Sequence, residues 1–197
     1  CVDAIQSLGV IPMDVNKYGI HFLASGGHKW LLATMGCGCL FISNEAKDFI
    51  HPLRVGWKSV KDEEEFFQVR FDLKEDARRF EPGTLNAAGI FALGAALEML
   101  LEVGIEQISR KVLELNDLLI EGLLDRRCRI RSSRVAEERS GITSFIPPND
   151  PSRLFHFLRE KKLSVSLRGD MIRLSPHFYN TREDVDRFFQ VLDLYEA

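Results

Sequence analysis

The chain has 197 residues, with 26 Lys and Arg against 29 Asp and Glu, which gives a formal net charge of −3. Hydrophobic residues make up 45% of the chain and include 14 Phe, enough apolar side chains to build a core, so a disordered, collagen-like or coiled-coil protein is excluded. The near-neutral charge balance offers no basic surface for nucleic acid and no polybasic membrane anchor. We therefore expect small-molecule or protein partners, no nucleic acid and no membrane.

The apolar runs of the chain bear on its cellular location, and the spacing of its cysteines bears on metal binding. No apolar run approaches the roughly 20 residues that span a bilayer, and no basic-then-apolar leader opens the chain, so a cytoplasmic location is expected. The spacing of the cysteines matches neither a zinc site nor a small disulfide framework. Ordinary buried thiols and no metal site are therefore predicted at Cys1, Cys37, Cys39 and Cys128.

The first part of the chain has the pattern of an α/β sheet. Short apolar runs alternate with Gly and Pro, as in buried strands, although periodicity alone does not separate such strands from buried helix segments. Strands are predicted at residues 1–2, 9–12, 20–24 and 38–43.

The remainder of the chain has helical periodicity followed by a mixed pattern. Leucine and isoleucine recur at three- and four-residue intervals from Asn86 to Gly104 and again over residues 105–124, which predicts two helices. Ser152 and Thr181 are predicted to cap two later helices. Strands are predicted at residues 142–146, 163–167 and 171–174. The sequence thus predicts a front part, residues 1–103, and a smaller α+β part, residues 104–197.

The strongest local signal is the turn Ser25-Gly26-Gly27-His28-Lys29-Trp30. Lys29 directly follows a turn of small residues and lies between apolar strands, a poor setting for a solvated surface lysine. Burial there favours the neutral amine that a Schiff-base lysine requires.

A second signal lies 26 residues upstream, where Asp3 ends the apolar opening strand and Gln6 follows it. Ligand-binding groups of α/β sheets gather at the carboxyl ends of the strands. A carboxylate facing a pyridine nitrogen keeps that nitrogen protonated and makes the ring an electron sink. A helix-capping role is the alternative for Asp3.

Together these segments resemble the class V (fold type I) pyridoxal-phosphate enzymes, the family of cysteine desulfurases, isopenicillin N epimerase-like proteins, kynureninases and several aminotransferases. The matching segments follow in family order over nearly the whole chain: residues 2–9, 11–15, 22–41, 79–86 and 172–181. The resemblance implies the C-terminal part of a fold type I transferase. Residues 1–103 would be the C-terminal part of the large cofactor-binding α/β domain, and residues 104–197 the small α+β domain.

The resemblance also implies roles for individual residues. Lys29 would form the internal aldimine with pyridoxal 5'-phosphate and then move protons at the substrate α-carbon. Asp3 would pair with the pyridinium nitrogen, Gln6 would bind the ring 3-oxygen, and His28 would lie beside the cofactor phosphate. Thr84 would reach the phosphate of the neighbouring subunit, which implies a homodimer.

Arg173 matches the arginine that holds the substrate α-carboxylate, and a surface salt bridge is its alternative role. The guanidinium fork is suited to such a contact because it can donate to both carboxylate oxygens.

The chain departs from the family pattern in three places. Gly26 replaces the Ser or Thr that binds phosphate two residues before the His in many relatives, and Ser25 is one position away. Residues 167–172 lack the nucleophilic Cys of the desulfurases. Arg168 in this segment is either a second anion-binding group or a turn residue. The phosphate loop and ring-stacking residue of the family lie N-terminal to the Asp, in a segment that this sequence does not contain.

The leading hypothesis is a pyridoxal-phosphate enzyme acting on an amino acid, of the class V aminotransferase or epimerase-like kind, with this chain as its C-terminal half. A desulfurase or selenocysteine lyase-like activity is one alternative. A catalytically inactive dimerisation or binding fragment is the other.

Overall fold

The computed structural model describes residues 1–68 and 70–196. The chain divides into two compact units, each described by itself below. Unit 1 comprises Cys1–Leu8 and Met13–Glu102, and unit 2 comprises Gly9–Pro12 and Val103–Ala197.

Unit 1 contains a three-stranded sheet in the order β1-β2-β3, formed by Val2–Asp3, Phe22–Gly26 and Gly38–Ile42. β1 pairs with β2 in parallel, whereas β3 is antiparallel to β2. The parallel pair places the carboxyl ends of β1 and β2 at the same edge of the sheet. Asp3 ends β1 at this edge, and the turn that carries Lys29 follows β2 at the same edge.

The two faces of this sheet differ in burial. Leu23 and Ser25 are buried on one face, while the directly paired Asp3, Ala24 and Leu40 are exposed on the other. Side chains alternate between faces along a strand, so the register of β2 decides which residues are accessible. The face that carries Asp3 is the open one.

A long irregular segment follows β3 and is closed on itself by a single bridge between Val60 and Leu73. The Glu63 carboxylate joins the two sides of this segment, because it pairs with Lys58 at 2.5 Å and also with Lys74. A short 3₁₀ turn at Ala77–Phe80 comes next, capped by the Asp76 side chain. The bridge and the ion pairs hold residues 58–63 against residues 73–74.

Helix α1 spans Ala87–Val103 and helix α2 spans Ile105–Asp125. The break between them is Gly104, whose φ of +88° is a backbone conformation that glycine adopts without strain. The predicted helices and their interruption at Gly104 are therefore confirmed.

Unit 2 is an antiparallel sheet with helices on one face. The sheet has the order β4-β5-β7-β6, formed by Arg129–Ile130, Thr143–Ile146, Met171–Leu174 and Ser166–Arg168. Two further helices, α3 at Pro151–Glu160 and α4 at Arg182–Glu196, complete the unit. Its core contains the buried side chains Leu115, Leu119, Leu123, Phe145, Leu154, Leu158, Ile172 and Leu192.

One polar pair lies within this core. The Thr143 hydroxyl donates a 2.6 Å hydrogen bond to Asn116 Oδ1, and the Asn116 amide donates to the Val112 carbonyl at 2.9 Å. Both side chains are buried, and each has a partner, as a buried polar group requires. The pair joins α2 to β5.

The structure differs from several local predictions, and β2 begins at Phe22, two residues after the predicted start of that strand. Residues 9–12 form a turn instead of a strand, and β6 begins at Ser166, three residues later than predicted. Helix α3 is capped by Asp150, whose carboxylate accepts from the amides of Ser152 and Arg153, so Ser152 is not the cap. The two-residue β4 lies in a charge-rich stretch that carries no strand pattern. Thr181 does accept from the Asp184 amide at the start of α4, as predicted.

Within the described residues, no single helix is long and apolar enough to cross a membrane. Helices α1 and α2 meet that criterion of length and composition only as a pair, across the bend at Gly104.

Candidate active site

Asp3 lies at the carboxyl end of β1, where the chain turns away from the sheet. The Ala4 amide still donates to the Ala24 carbonyl of β2 at 2.8 Å, which ties this end of β1 to its neighbour. The Asp3 Oδ1 atom accepts from the Ile5 amide at 3.0 Å. This bond orients the exposed carboxylate, which has no ion pair among the described residues. Gln6 follows in the same turn and is half-buried.

The turn that carries Lys29 is held by backbone hydrogen bonds on both sides of the lysine. Gly27 donates to the Cys37 carbonyl and accepts from the Ala33 amide, both at 2.8 Å. The Lys29 carbonyl accepts from Leu32 at 3.0 Å. The Lys29 side chain is half-buried in a turn whose backbone is therefore fixed.

His28 lies against the end of β2. A Cβ atom at Gly26 would be only 3.0 Å from the His28 ring and 3.3 Å from the Ile5 side chain. Glycine at position 26 thus lets the exposed His28 and the turn after Asp3 approach the same point. A Ser or Thr at position 26 would require His28 to move.

Ser25 does not replace the missing hydroxyl at position 26 in this structure. Its side chain is buried, and its hydroxyl donates to the adjacent Gly26 carbonyl at 3.3 Å. In the sheet register Ser25 lies opposite Cys39, on the face away from Asp3.

An open cavity of about 700 Å³ lies beside Asp3 in unit 1. Residues of the sheet line one side of this cavity, and residues of the segment that precedes Thr84 line the other. Its lining residues are Asp3, Ala24, Ser25, Gly26, Gly38, Cys39, Leu40, Ala77, Arg78, Phe80 and Glu81. Asp3 and Glu81 contribute two negative charges to this lining, and Arg78 contributes one positive charge.

Thr84 is exposed, and the turn that carries it packs against the loop around Trp57. A Cβ atom at Gly56 would lie 1.9 Å from the Pro82 carbonyl oxygen, so only glycine fits at this position. The buried Ser59 hydroxyl donates to the Glu81 carbonyl and accepts from the Gly56 amide, both at 3.2 Å. The loop therefore fixes the backbone immediately before Thr84.

Asn86 links the segment after Thr84 to the segment after Lys29. Its amide group donates to the Gly36 carbonyl at 3.2 Å, and its carbonyl oxygen accepts from the Gly89 amide at 3.0 Å. Asn86 belongs to residues 79–86, one of the segments that resemble the family, but the resemblance implies no role for it. An Asn directly before a helix is an N-cap signal that identifies the second contact but not the first.

Arg173 lies on β7 in unit 2. Its Nε atom is buried and has no hydrogen-bond partner among the described residues. Burial, followed by repulsion from Arg168, lowers the pKa of the Arg173 guanidinium. Arg173 therefore has a buried hydrogen-bond donor that the described residues leave available to an anionic ligand.

The cysteines form no disulfide, and the prediction that they are buried is wrong for Cys1 and Cys39, which are exposed, whereas Cys128 is buried. No group of three or more potential metal-ligating His, Cys, Asp or Glu side chains occurs in the described part of the chain. Cys39 lines the cavity beside Asp3, and burial raises the pKa of its thiol. The thiol is therefore not an activated nucleophile.

The predicted site residues thus fall in two places. Asp3, Gln6, His28 and Lys29 follow two neighbouring strands at one edge of the sheet in unit 1, and Thr84 lies on the segment that Asn86 ties to the Lys29 loop. Arg173 lies in unit 2. Sequence patterns do not identify the contact of Ser59 with Glu81 or that of Asn86 with Gly36.

Comparison with known proteins identifies the family. The family model described as aminotransferase class-V matches residues 1–188. A probable cysteine desulfurase of Pyrococcus abyssi is 31% identical over 98% of this chain and 51% of its own length. The uncharacterized aminotransferase YcbU of Bacillus subtilis is 30% identical over 93% of this chain and 48% of its own.

Among solved structures, the apo cysteine desulfurase of Thermococcus onnurineus NA1 superposes with a TM-score of 0.88 and 28% identity, over 98% of this chain and 51% of the other. The fold is therefore that of the fold type I enzymes. The chain spans about half the length of the relatives it matches. It belongs to the class V aminotransferase family.

Proposed function

We propose that this chain belongs to a pyridoxal-phosphate enzyme that acts on an amino acid, with Lys29 as the residue that holds the cofactor covalently. Pyridoxal phosphate is the cofactor that the family supports, and one solved structure of the same fold, that of a C-DES mutant, contains a PLP-cofactor. The observation that carries the proposal is the position of Asp3 and the Lys29 turn after two parallel neighbouring strands. An acid and an amine at the carboxyl edge of such a sheet are the groups that this cofactor requires.

The residues present are compatible with the cofactor. The Asp3 carboxylate is exposed beside an open cavity and forms no ion pair within the described residues, while Arg78 of the same cavity pairs with Asp76, so Asp3 can pair with a protonated ring nitrogen. Gln6 would donate to the ring oxygen. His28 would contact the phosphate, which Thr84 of a neighbouring subunit would also bind.

When bound, the cofactor supplies an electron sink for the bond that breaks at the substrate α-carbon. Lys29 would remove a proton from that carbon and return it, because its amine becomes available once substrate replaces it. Arg173 would bind the substrate α-carboxylate, and its buried, unpartnered Nε supports this role. Asp3 would keep the ring nitrogen protonated throughout.

We propose an aminotransferase or epimerase-like reaction. The alternative is a cysteine desulfurase or selenocysteine lyase-like reaction, which the desulfurase names of several relatives favour. Against it, the turn between β6 and β7 carries Gly169 and Asp170 and no cysteine, so it offers no thiol to accept sulfur.

The second alternative is a catalytically inactive dimerisation or binding fragment, which the half-length match to relatives favours. For the enzyme, we propose a homodimer to which Thr84 contributes across the interface, and a cytoplasmic location. Residues 1–103 would belong to the large domain and residues 104–197 to the small one.

Cofactor binding by the complete gene product tests the proposal. Addition of pyridoxal phosphate should produce a visible absorption band in the wild type and in Lys17→Ala, an exposed-lysine control. Lys29→Ala should lose the band while keeping the circular dichroism spectrum of the wild type. A Lys29→Ala protein with an unchanged band would refute the role of Lys29.

A further inference from the structure

Arg173 lies on the face of the unit 2 sheet that points away from the helices. On β7 it is flanked by Ile172 and Leu174, which are buried in the core. Successive side chains of a strand point to opposite faces, so Arg173 belongs to the face opposite this core. Its direct partners on the two neighbouring strands are Ser144 and Ser166.

Arg168 lies on the same face. It is paired with Met171, two residues before Arg173, so the two arginines are diagonal neighbours across the β6–β7 hairpin. Diagonal neighbours of an antiparallel pair are about 7–8 Å apart, within reach of two long side chains. The residues directly opposite Arg173 are serines, which carry no charge to pair with its guanidinium.

Neither arginine forms an ion pair within the described residues. Asp170, in the turn beside Arg168, does not pair with it, and Arg173 keeps a buried Nε without a partner. Two unpaired guanidinium groups on one sheet face repel each other, and a buried donor without an acceptor destabilises the fold. An anionic ligand would remove both penalties.

We propose that Arg168 and Arg173 together bind one ligand with two carboxylates, so that the substrate is an amino acid with an acidic side chain. Arg173 takes the α-carboxylate and Arg168 takes the distal carboxylate. This inference rests on the proposed function only in naming the ligand as the substrate.

The division of roles follows from burial. Arg173 is half-buried, which suits the constant part of an amino acid, whereas Arg168 is exposed near the hairpin turn and suits the side chain that distinguishes one substrate from another. A single carboxylate accepts the two parallel hydrogen bonds of one guanidinium. A monocarboxylic ligand on Arg173 would therefore leave Arg168 unpaired.

Calorimetric titration of the complete gene product with succinate and with acetate, at matched ionic strength, tests the proposal. The variants are Arg168→Gln and Arg129→Gln. Arg129 is exposed on β4 opposite Ile146, which places it on the same sheet face as Ser144 and Arg173 but at the far side of the sheet. Both variants remove one positive charge from this face.

The wild type should bind succinate more tightly than acetate. Arg168→Gln should weaken succinate binding roughly tenfold, the effect expected from losing one charge-assisted contact, and leave acetate binding unchanged. Arg129→Gln should change neither. Equal affinities for the two anions in the wild type, or equal losses in the two variants, would overturn the proposal.

The titration needs no cofactor, so its outcome is separate from that of the proposed function. A protein that takes up no cofactor at Lys29 but shows the predicted succinate binding would refute the proposed function and leave the dicarboxylate site standing. Normal cofactor uptake without a succinate preference would refute the dicarboxylate site and leave the proposed function standing.

Discussion

The Asn86 side chain donates a hydrogen bond to the Gly36 carbonyl over 3.2 Å and accepts one from the Gly89 amide over 3.0 Å. The Nδ2 group of Asn86 therefore contacts the loop that follows Lys29, and its Oδ1 atom caps the start of α1. Because a carbonyl needs a donor and an amide needs an acceptor, these partners fix the orientation of the Asn86 amide. The segment carrying Thr84 is thereby tied to the segment carrying Lys29.

Asn86→Asp and Asn86→Ala separate these two contacts. Aspartate keeps the acceptor for Gly89 and loses the donor to Gly36, whereas alanine loses both. We expect Asn86→Ala to lower the free energy of unfolding by about 1 kcal/mol through the lost cap, and Asn86→Asp to retain the cap. In both variants the amides of Gly27 and Ala33 should exchange roughly fivefold faster, because a net contribution of about 1 kcal/mol is lost.

Hydrogen exchange measured residue by residue checks this prediction. The matched control is Asn44→Asp, the same chemical change at an exposed position of the same unit. Exchange at Gly27 and Ala33 that stays at the wild-type rate in Asn86→Asp would show that the Gly36 contact does not hold the loop.

Gly56→Ala should destabilise the protein. The new methyl group would lie 1.9 Å from the Pro82 carbonyl oxygen, so the backbone before Thr84 would have to move. Overpacking of this kind costs about 1–3 kcal/mol. Gly94→Ala in α1 is the control, because nothing lies within 4 Å of the added atom and alanine favours a helix by about 1 kcal/mol.

Urea denaturation of the two variants measures these opposite shifts. A Gly56→Ala protein as stable as the wild type would contradict the close packing between the Trp57 loop and the Pro82 turn.

Much of the fold follows from sequence patterns that have a physical cause. Helices α1 and α2 and their interruption at Gly104 were predictable, because apolar spacing and glycine act locally. The capping of α4 by Thr181 was predictable for the same reason. The roles of Asp3 and Lys29 come from the family resemblance and stay predictions.

Other features depend on partners that are distant in the chain. Residues 9–12 are apolar and yet form a turn, because an apolar run reports burial and not hydrogen-bond pairing. β4 pairs through its backbone with β5, which its charged side chains do not reveal. The contact between Asn86 and Gly36 spans 50 residues, and no local pattern specifies such a bond.

Acid should weaken the closed segment around Glu63 in a defined pH range. Hydrogen bonds from Lys58 and Lys74 lower the pKa of Glu63 from 4.5 to about 2. Because the folded-state pKa is depressed, the stabilisation is present above pH 4.5 and is lost as the pH falls towards 2. Glu63→Gln should remove this part of the pH dependence.

The stability of the wild type and Glu63→Gln is to be measured from pH 6 to pH 2, with Glu64→Gln, at an exposed neighbouring position, as control. The difference between wild type and Glu63→Gln should shrink with acidity, while Glu64→Gln follows the wild type. A constant difference across this range would contradict the role of the two lysines.

Thr143→Val should lower the free energy of unfolding of unit 2. Valine keeps the shape of the side chain but leaves Asn116 Oδ1 buried without its donor, at a cost of about 1–3 kcal/mol. In an Asn116→Leu background the same change should cost less, because no acceptor is then left unsatisfied. Equal costs in the two backgrounds, measured by denaturation, would show that the pair is not coupled.

Covalent attachment of the cofactor to Lys29 is tested by mass spectrometry of peptides after borohydride reduction of the cofactor-loaded gene product. We expect one reduced cofactor adduct, on the peptide that contains Lys29, at a stoichiometry of one per chain. An Asp3→Ala variant should carry less adduct, and Glu45→Ala, at an exposed carboxylate of the same unit, should match the wild type. Adducts spread over several lysines, or an unmodified Lys29 peptide, would contradict this attachment.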